Sequence, residues 1–251
     1  MSHVIVGPGA MGFFAELGAL HATLKLENVQ EISGSSAGAL AALCFILDVS
    51  LEKCLKVDTK SVFKPSIKSF LKNYGFIPRS RVYKTFKEFF ERDWTFKELY
   101  DQTGKVLYIA TSCIPRNTVY YSVKSTPDES VLQALTTSVS IPFMFAPLKD
   151  GSRLMFDGSV FESSPGAPFM SIPSSDIINF QIDTIDGVND ETPKSLLQFM
   201  ILLMKNFISL RSEYGYKTIS VPVKTSDVYN FSMDDDSKIR LYAHGYSSCS
   251  S

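Results

Sequence analysis

Between His3 and Leu43 the chain runs twice through strand, glycine turn and helix, and this order constrains the fold more than any other feature. Val4, Ile5 and Val6 are apolar and β-branched. They end at Gly7-Pro8-Gly9, after which Phe13, Leu17, Leu20 and Leu24 recur at helical spacing. Val29 to Ile32 then meets Gly34-Ser35-Ser36-Ala37-Gly38, followed by Ala39-Leu40-Ala41-Ala42-Leu43, a segment of high helix propensity. Strands that each lead into a helix return in the same direction, because parallel pairing needs a crossover. The predicted fold is a three-layer α/β/α sandwich with a mainly parallel central sheet.

The rest of the chain extends this pattern. Leu51 to Tyr100 reads as helices and connecting loops. Val106–Ala110 and Thr118–Val123 read as a hairpin turning at Pro115-Arg116-Asn117. A helix is expected over Asp128–Thr137. Arg153–Phe156 reads as a strand that delivers Asp157-Gly158 at its end, and Ile177–Ile182 as another. An amphipathic helix is expected from about Met233 to Ala243, capped by Ser232. With no composition shift and no internal repeat, residues 1–251 are expected to form one domain.

Charge is segregated although its net is small. Thirteen Lys or Arg between Lys53 and Lys105 face six Asp or Glu, which leaves the remainder acidic. This fits solvated helix faces or a surface that attracts anionic lipid head groups. Cys44, Cys54, Cys113 and Cys249 lack the spacing of a zinc site and are expected to be free thiols. The start of the chain lacks the basic and long apolar regions of a secretory signal, so a cytoplasmic protein is expected, with peripheral membrane contact as an option. Leu196 to Leu210 is too short and too polar to span a bilayer and reads as a core helix.

Three short motifs carry chemistry. Gly7-Pro8-Gly9-Ala10-Met11-Gly12 fits G-x-G-x-x-G between strand and helix. It suits a dinucleotide phosphate or an oxyanion hole, since both use amides at a helix N-terminus. A dinucleotide site wants an acidic residue ending the second strand, and Glu31 lies inside that strand instead. Gly34-x-Ser36-x-Gly38 fits the nucleophile elbow, a serine on a strained turn with small neighbours. With glycine near ~7% of residues, chance alone produces that match in roughly one chain in ten of this length. Its position between a strand and a buried helix gives it weight.

A serine needs a base. His3 opens the first strand and His21 lies well inside the first helix, so both read as ordinary packing or surface histidines. His244 comes last and matches a Ser-Asp-His order, but α/β-hydrolases place several strands before the serine, and here only one precedes the elbow's own. Asp157-Gly158 remains, although such a pair is most often a plain turn, as Asp150-Gly151 is expected to be.

Taken in order, Gly7-x-Gly9-x-x-Gly12, Gly34-x-Ser36-x-Gly38 and Asp157-Gly158 resemble the three blocks of patatin-like phospholipases. Ser138-Val139-Ser140-Ile141-Pro142-Phe143 and the segments Tyr229–Phe231 and Arg240–Tyr246 extend the resemblance over nearly the whole chain. It implies a Ser36–Asp157 dyad without histidine, with Asp157 as base. It also implies an acyl-enzyme, an oxyanion hole from Gly7, Gly9, Ala10 and Gly12, and no metal or organic cofactor. Gly34, Gly38 and Gly158 support the two catalytic positions. The implied partner is a phospholipid or other acyl-lipid substrate, with no nucleic acid.

The chain departs from the family pattern at Pro8, which has no amide hydrogen, at Met11 and at Ser159. Glu162-Ser163-Ser164-Pro165 also stands where an Asn-x-Pro-like segment is common. With donors left to Gly9, Ala10 or a neighbour, the leading expectation is a lipid acyl hydrolase. A nucleotide-binding α/β protein and a weakly catalytic lipid-binding relative stand beside it.

Overall fold

Among the described residues, ten strands and a set of mostly short helices build a mixed α/β architecture. It was obtained as a computed structural model that describes residues 2–57, 59–185 and 215–249. The strands are β1 His3–Val6, β2 Glu31–Ser35, β3 Gly75–Ile77, β4 Val106–Ile114 and β5 Asn117–Tyr121, followed by β6 Phe143–Phe145, β7 Leu148–Asp150, β8 Arg153–Asp157, β9 Ile177–Thr184 and β10 Lys217–Val223. The main sheet runs β10-β9-β1-β2-β4-β8-β7, with β5 also on β4. Pairings from β10 through β4 are parallel, and β5, β8 and β7 add antiparallel pairs at the other side. The mainly parallel sheet read from the two opening units is present.

Alternation along β1 assigns the two faces. Val4 and Val6 join the large core, and Ile5 joins a smaller cluster with Val106, Tyr108, Phe169 and Ile177. Helices α1 Phe13–Thr23, α2 Ala37–Ile46 and α8 Val131–Ser138 cover the first face, together with the helix Asp235–Ser248. Leu17, Leu20, Leu43 and Phe180 are completely buried there. Each contributes roughly 1.5–3 kcal/mol by leaving water. Among the described residues, Phe169 and Ile172, with Tyr216, cover the second face.

The hairpin, the strand ending at Asp157 and the strand from Ile177 lie where their patterns place them. The helix expected from Asp128 starts at Val131, because the Ser130 hydroxyl accepts the Gln133 amide at 3.0 Å and caps it. Likewise the helix expected from Met233 starts at Asp235. Asp234 rather than Ser232 caps it, accepting the Ser237 amide at 2.8 Å, with acidic residues in the first turn. Strand β10 was not anticipated from the sequence: Pro222 interrupts its pattern, and it is tolerated because β10 is an edge strand. The segment Leu196 to Leu210 lies outside the described residues. No described helix is long and apolar enough to cross a membrane.

Candidate active site

Strand β4 brings the two distant motifs together. Its residues 109–113 pair with β5 on one edge, so β2 and β8 share the other edge end to end. Ser35, the last residue of β2, lies opposite Ala110, and Asp157, the last of β8, lies opposite Thr111. Consecutive positions on one strand therefore receive the two chain ends. The Ser36 hydroxyl donates a 2.7 Å hydrogen bond to Oδ2 of Asp157 across 121 residues of sequence.

Ser36 sits between β2 and α2 at φ 53° and ψ −127°, a conformation costly for any residue with a Cβ, by roughly 1–3 kcal/mol. Its surroundings hold it there. The Ser36 amide donates to the Ser138 hydroxyl at 2.9 Å, and that hydroxyl donates to the Ala110 carbonyl at 2.7 Å. Gly38 lets α2 approach β1, since a Cβ there would lie 2.1 Å from the Gly7 carbonyl oxygen. Gly158 plays the equivalent part for the aspartate, where a Cβ would lie 2.2 Å from the Ala110 carbonyl oxygen. The neighbouring Ser35 hydroxyl is buried without a hydrogen-bond partner among the described residues, whereas Ser36 lines a cavity.

Asp157 is almost wholly buried, and among the described residues no positive charge offsets its desolvation. Burial pushes its carboxyl up from 3.8 to about 6, against hydrogen bonds from Ser159 and Ser36 that pull it down. Oδ1 accepts both the amide of Ser159 at 2.9 Å and its hydroxyl at 2.6 Å. Ser159, which reads from the sequence as a departure, is thus a direct partner of the carboxylate. The Tyr229 hydroxyl is pushed up to about 12, first by burial and then by the charge of Asp157.

All three histidines are engaged elsewhere. His3 bonds the Ser2 hydroxyl, His21 the Tyr242 hydroxyl and His244 the Pro222 carbonyl. Glu31 accepts from Lys124 and Tyr108, so it is not a free carboxylate for a ribose.

In the glycine loop, two of the four residues Gly7, Gly9, Ala10 and Gly12 engage their amides within the fold. Gly7 donates to the Phe180 carbonyl at 2.9 Å, completing the β1–β9 pairing, and Gly12 donates to the Gly9 carbonyl at 2.7 Å, closing the turn into α1. Pro8 has no amide hydrogen. The amides of Gly9 and Ala10 have no acceptor among the described residues. Ala10, at φ 45°, shares with Ser36 a backbone conformation that side chains rarely adopt. Both residues line the same cavity.

That cavity holds about 160 Å³ and is walled almost entirely by apolar groups, among them Met11, Phe13, Leu40, Phe86 and Phe145. A hydroxyl bonded to a buried carboxylate therefore opens onto a slot shaped for hydrocarbon. Among the described residues no three His, Cys, Asp or Glu side chains gather to hold a metal ion. Cys44, Cys54, Cys113 and Cys249 are free, and all but Cys249 are buried.

The fold and site define a mixed α/β protein with a serine on the turn after its second strand, and comparison narrows the class. The model of the patatin-like phospholipase family matches residues 4–170, and the chain belongs to that family. A "probable lipid hydrolase 463L" of Invertebrate iridescent virus 6 is 27% identical over 179 residues, covering 64% of this chain and 61% of the viral protein. Among solved structures, VipD of Legionella pneumophila has a TM-score of 0.67 at 13% identity, over 99% of this chain and 66% of that one. The type III effector protein ExoU has a TM-score of 0.51 at 15% identity, over 99% of this chain and 52% of ExoU. These two likenesses concern the fold. The chain spans less than two thirds of each of these three relatives.

Proposed function

We propose that this protein is a lipid acyl hydrolase that cleaves fatty-acyl esters through a Ser36–Asp157 dyad. The observation that carries the reading is the 2.7 Å hydrogen bond from the Ser36 hydroxyl to Asp157 at the wall of the apolar cavity. The substrate class is a glycerophospholipid, a lysophospholipid or a neutral lipid ester.

In the first half-reaction Asp157 accepts the Ser36 proton as Oγ bonds to the ester carbonyl carbon. Negative charge develops on the carbonyl oxygen and is met by the amides of Gly9 and Ala10, two donors in the loop without an acceptor among the described residues. The intermediate collapses with cleavage of the bond to the leaving alcohol, which takes the proton from Asp157. The acyl group remains on Ser36 with its chain in the cavity.

In the second half-reaction Asp157 takes a proton from water as the water oxygen attacks the acyl carbon. The fatty acid leaves, and Ser36 regains the proton. No metal or organic cofactor enters these steps. The base is suited to them because its burial raises its affinity for the proton toward the working range, while two Ser159 hydrogen bonds keep its free oxygen aimed at Ser36.

The test is fluorophosphonate labelling together with fatty-acid release from mixed lipid micelles. Wild type should label and turn over, and Ser36→Ala should do neither. Labelling or release that persists in Ser36→Ala excludes the assignment.

A further inference from the structure

Helix α5, Ile67–Asn73, is amphipathic in the inverted sense. Its middle serine, Ser69, is 5% exposed, whereas Ile67 is 72% exposed, Leu71 74% and the following Tyr74 54%. Positions 67 and 71 fall on one stripe of the helix, so these side chains form an outward ridge, and Tyr74 is exposed just past its end, where the chain leaves the helix at φ 62°. A soluble helix buries such a stripe.

The ridge packs on β3 and stands next to the cavity. Phe70 stacks on Phe76 of β3 at 4.3 Å, and β3 pairs in parallel with β6, Gly75 against Phe143 and Ile77 against Phe145. Phe145 walls the cavity that Ser36 lines, and Phe143 is itself 45% exposed. Phe63, just before α5, is a second wall residue.

The sequence that carries the ridge has charge of one sign. From Thr59 to Lys87 the sequence contains eight Lys or Arg and no Asp or Glu. Lys64, Lys68 and Lys72 are exposed and form no ion pair among the described residues. Lys68 and Lys72 flank the apolar stripe, and the ammonium group of Lys149 lies 4.7 Å from the ring centre of Tyr74. Ammonium groups beside an apolar ridge fit a layered partner, anionic at its surface and hydrocarbon beneath, with the lysine stems reaching back to the charged layer.

We propose that the α5 face docks on an anionic lipid bilayer, with Ile67, Leu71, Tyr74 and Phe143 entering the acyl boundary and Lys64, Lys68 and Lys72 meeting head groups. This places the cavity wall at the lipid surface. The purpose of the contact rests on the acyl-hydrolase reading above; the contact itself does not.

Vesicle cosedimentation in a Ser36→Ala background separates the two, because no turnover is needed for binding. The probes are vesicles of phosphatidylcholine alone and of phosphatidylcholine with about 30 mol % phosphatidylserine. The parent should bind the anionic vesicles. Ile67→Ser with Leu71→Ser, and separately Lys68→Glu with Lys72→Glu, should each bind at least ~10-fold more weakly while melting at the parental temperature.

With Ser36 intact, both double variants should hydrolyse a water-dispersed short-chain ester at the wild-type rate and vesicle lipid more slowly. Undiminished vesicle binding in both double variants overturns the proposal. So does equal binding of the parent to neutral vesicles, or self-association through this face with no vesicle binding. Binding that follows the prediction, with no ester hydrolysis by any form, leaves the docking surface in place and removes the catalytic reading.

Discussion

The hydroxyl and amide of Ser159 both donate to Oδ1 of Asp157, at 2.6 and 2.9 Å, and hold the carboxylate by the oxygen that Ser36 does not use. The hydroxyl bond favours the ionised form, so removing it raises the carboxyl's pKa above its present value of about 6. Ser159→Ala should move the acid limb of the kcat/KM profile to higher pH. Activity at pH 6 should fall by ~3- to 10-fold, with a smaller loss at pH 8. A uniform loss at all pH values would mean that Ser159 acts on geometry alone.

The proposed mechanism requires Asp157 ionised, so kcat/KM of the wild type for a soluble ester should rise with pH through about 6. Asp157→Asn should abolish the base and cost ~100-fold or more in turnover. Stability should move the other way. The folded state holds this carboxyl above its ordinary value, so its favourable contribution is complete at acid pH and is lost as pH rises through about 6. The rise from 3.8 to about 6 corresponds to about 3 kcal/mol against ionisation. Asp157→Asn should therefore melt at or above the wild-type temperature at pH 8, read by thermal denaturation. A lower melting temperature there would show that the carboxylate stabilises the fold.

Glu16 tests the same linkage at a carboxyl that takes no part in the proposed proton transfers. It is wholly buried in α1, neither carboxyl oxygen has a partner among the described residues, and burial holds its pKa well above the usual carboxylate range. A Cβ built on Gly9 would lie 2.7 Å from its Oε1, so it packs directly beneath the glycine loop. Glu16→Gln keeps the shape and removes the charge. It should leave stability nearly unchanged at pH 4 and raise it by ~1–3 kcal/mol at pH 8.5, measured by urea denaturation at both pH values.

Gly38→Ala probes the elbow's packing. Its methyl group would meet the carbonyl oxygens of Gly7 and Val6 at 2.1 and 2.4 Å, both of them backbone that cannot step aside. A loss of about 3 kcal/mol or more is expected in denaturant unfolding, together with loss of fluorophosphonate labelling.

The cavity makes the last prediction. Leu40 lies in its wall beside Ser36, and Leu40→Trp places a large ring where acyl carbons would lie. Hydrolysis of long-chain esters should fall at least ~10-fold while that of an acetate ester changes by less than about 2-fold. Equal losses on both substrates would place the acyl chain elsewhere.

How much of this was legible beforehand follows from what each feature depends on. The two opening units are local: β-branched runs, glycine turns and apolar helical spacing lie within contiguous residues, and they appear as β1, α1, β2 and α2. Ser36, Gly34, Gly38, Asp157 and Gly158 stand out because each belongs to a short motif that follows an apolar strand-like run. Ser138 was visible only as part of a motif, and its bond to the Ser36 amide was not. The amides of Gly7 and Gly12 looked available from the sequence, since nothing local reveals that Phe180 and Gly9 accept from them.

By itself, then, the sequence determined the strand–turn–helix order, the elbow serine and the strand-end aspartate, all written in neighbouring residues. Only the tertiary structure decided that Ser35 and Asp157 lie against Ala110 and Thr111, which amides of the loop stay free, and that α5 turns Ile67 and Leu71 outward. The physical reason is that register on a shared strand, and the side of a helix left without a neighbour, are settled by packing between segments far apart in the chain. A periodicity records which residues share a face and carries no information about what that face will meet.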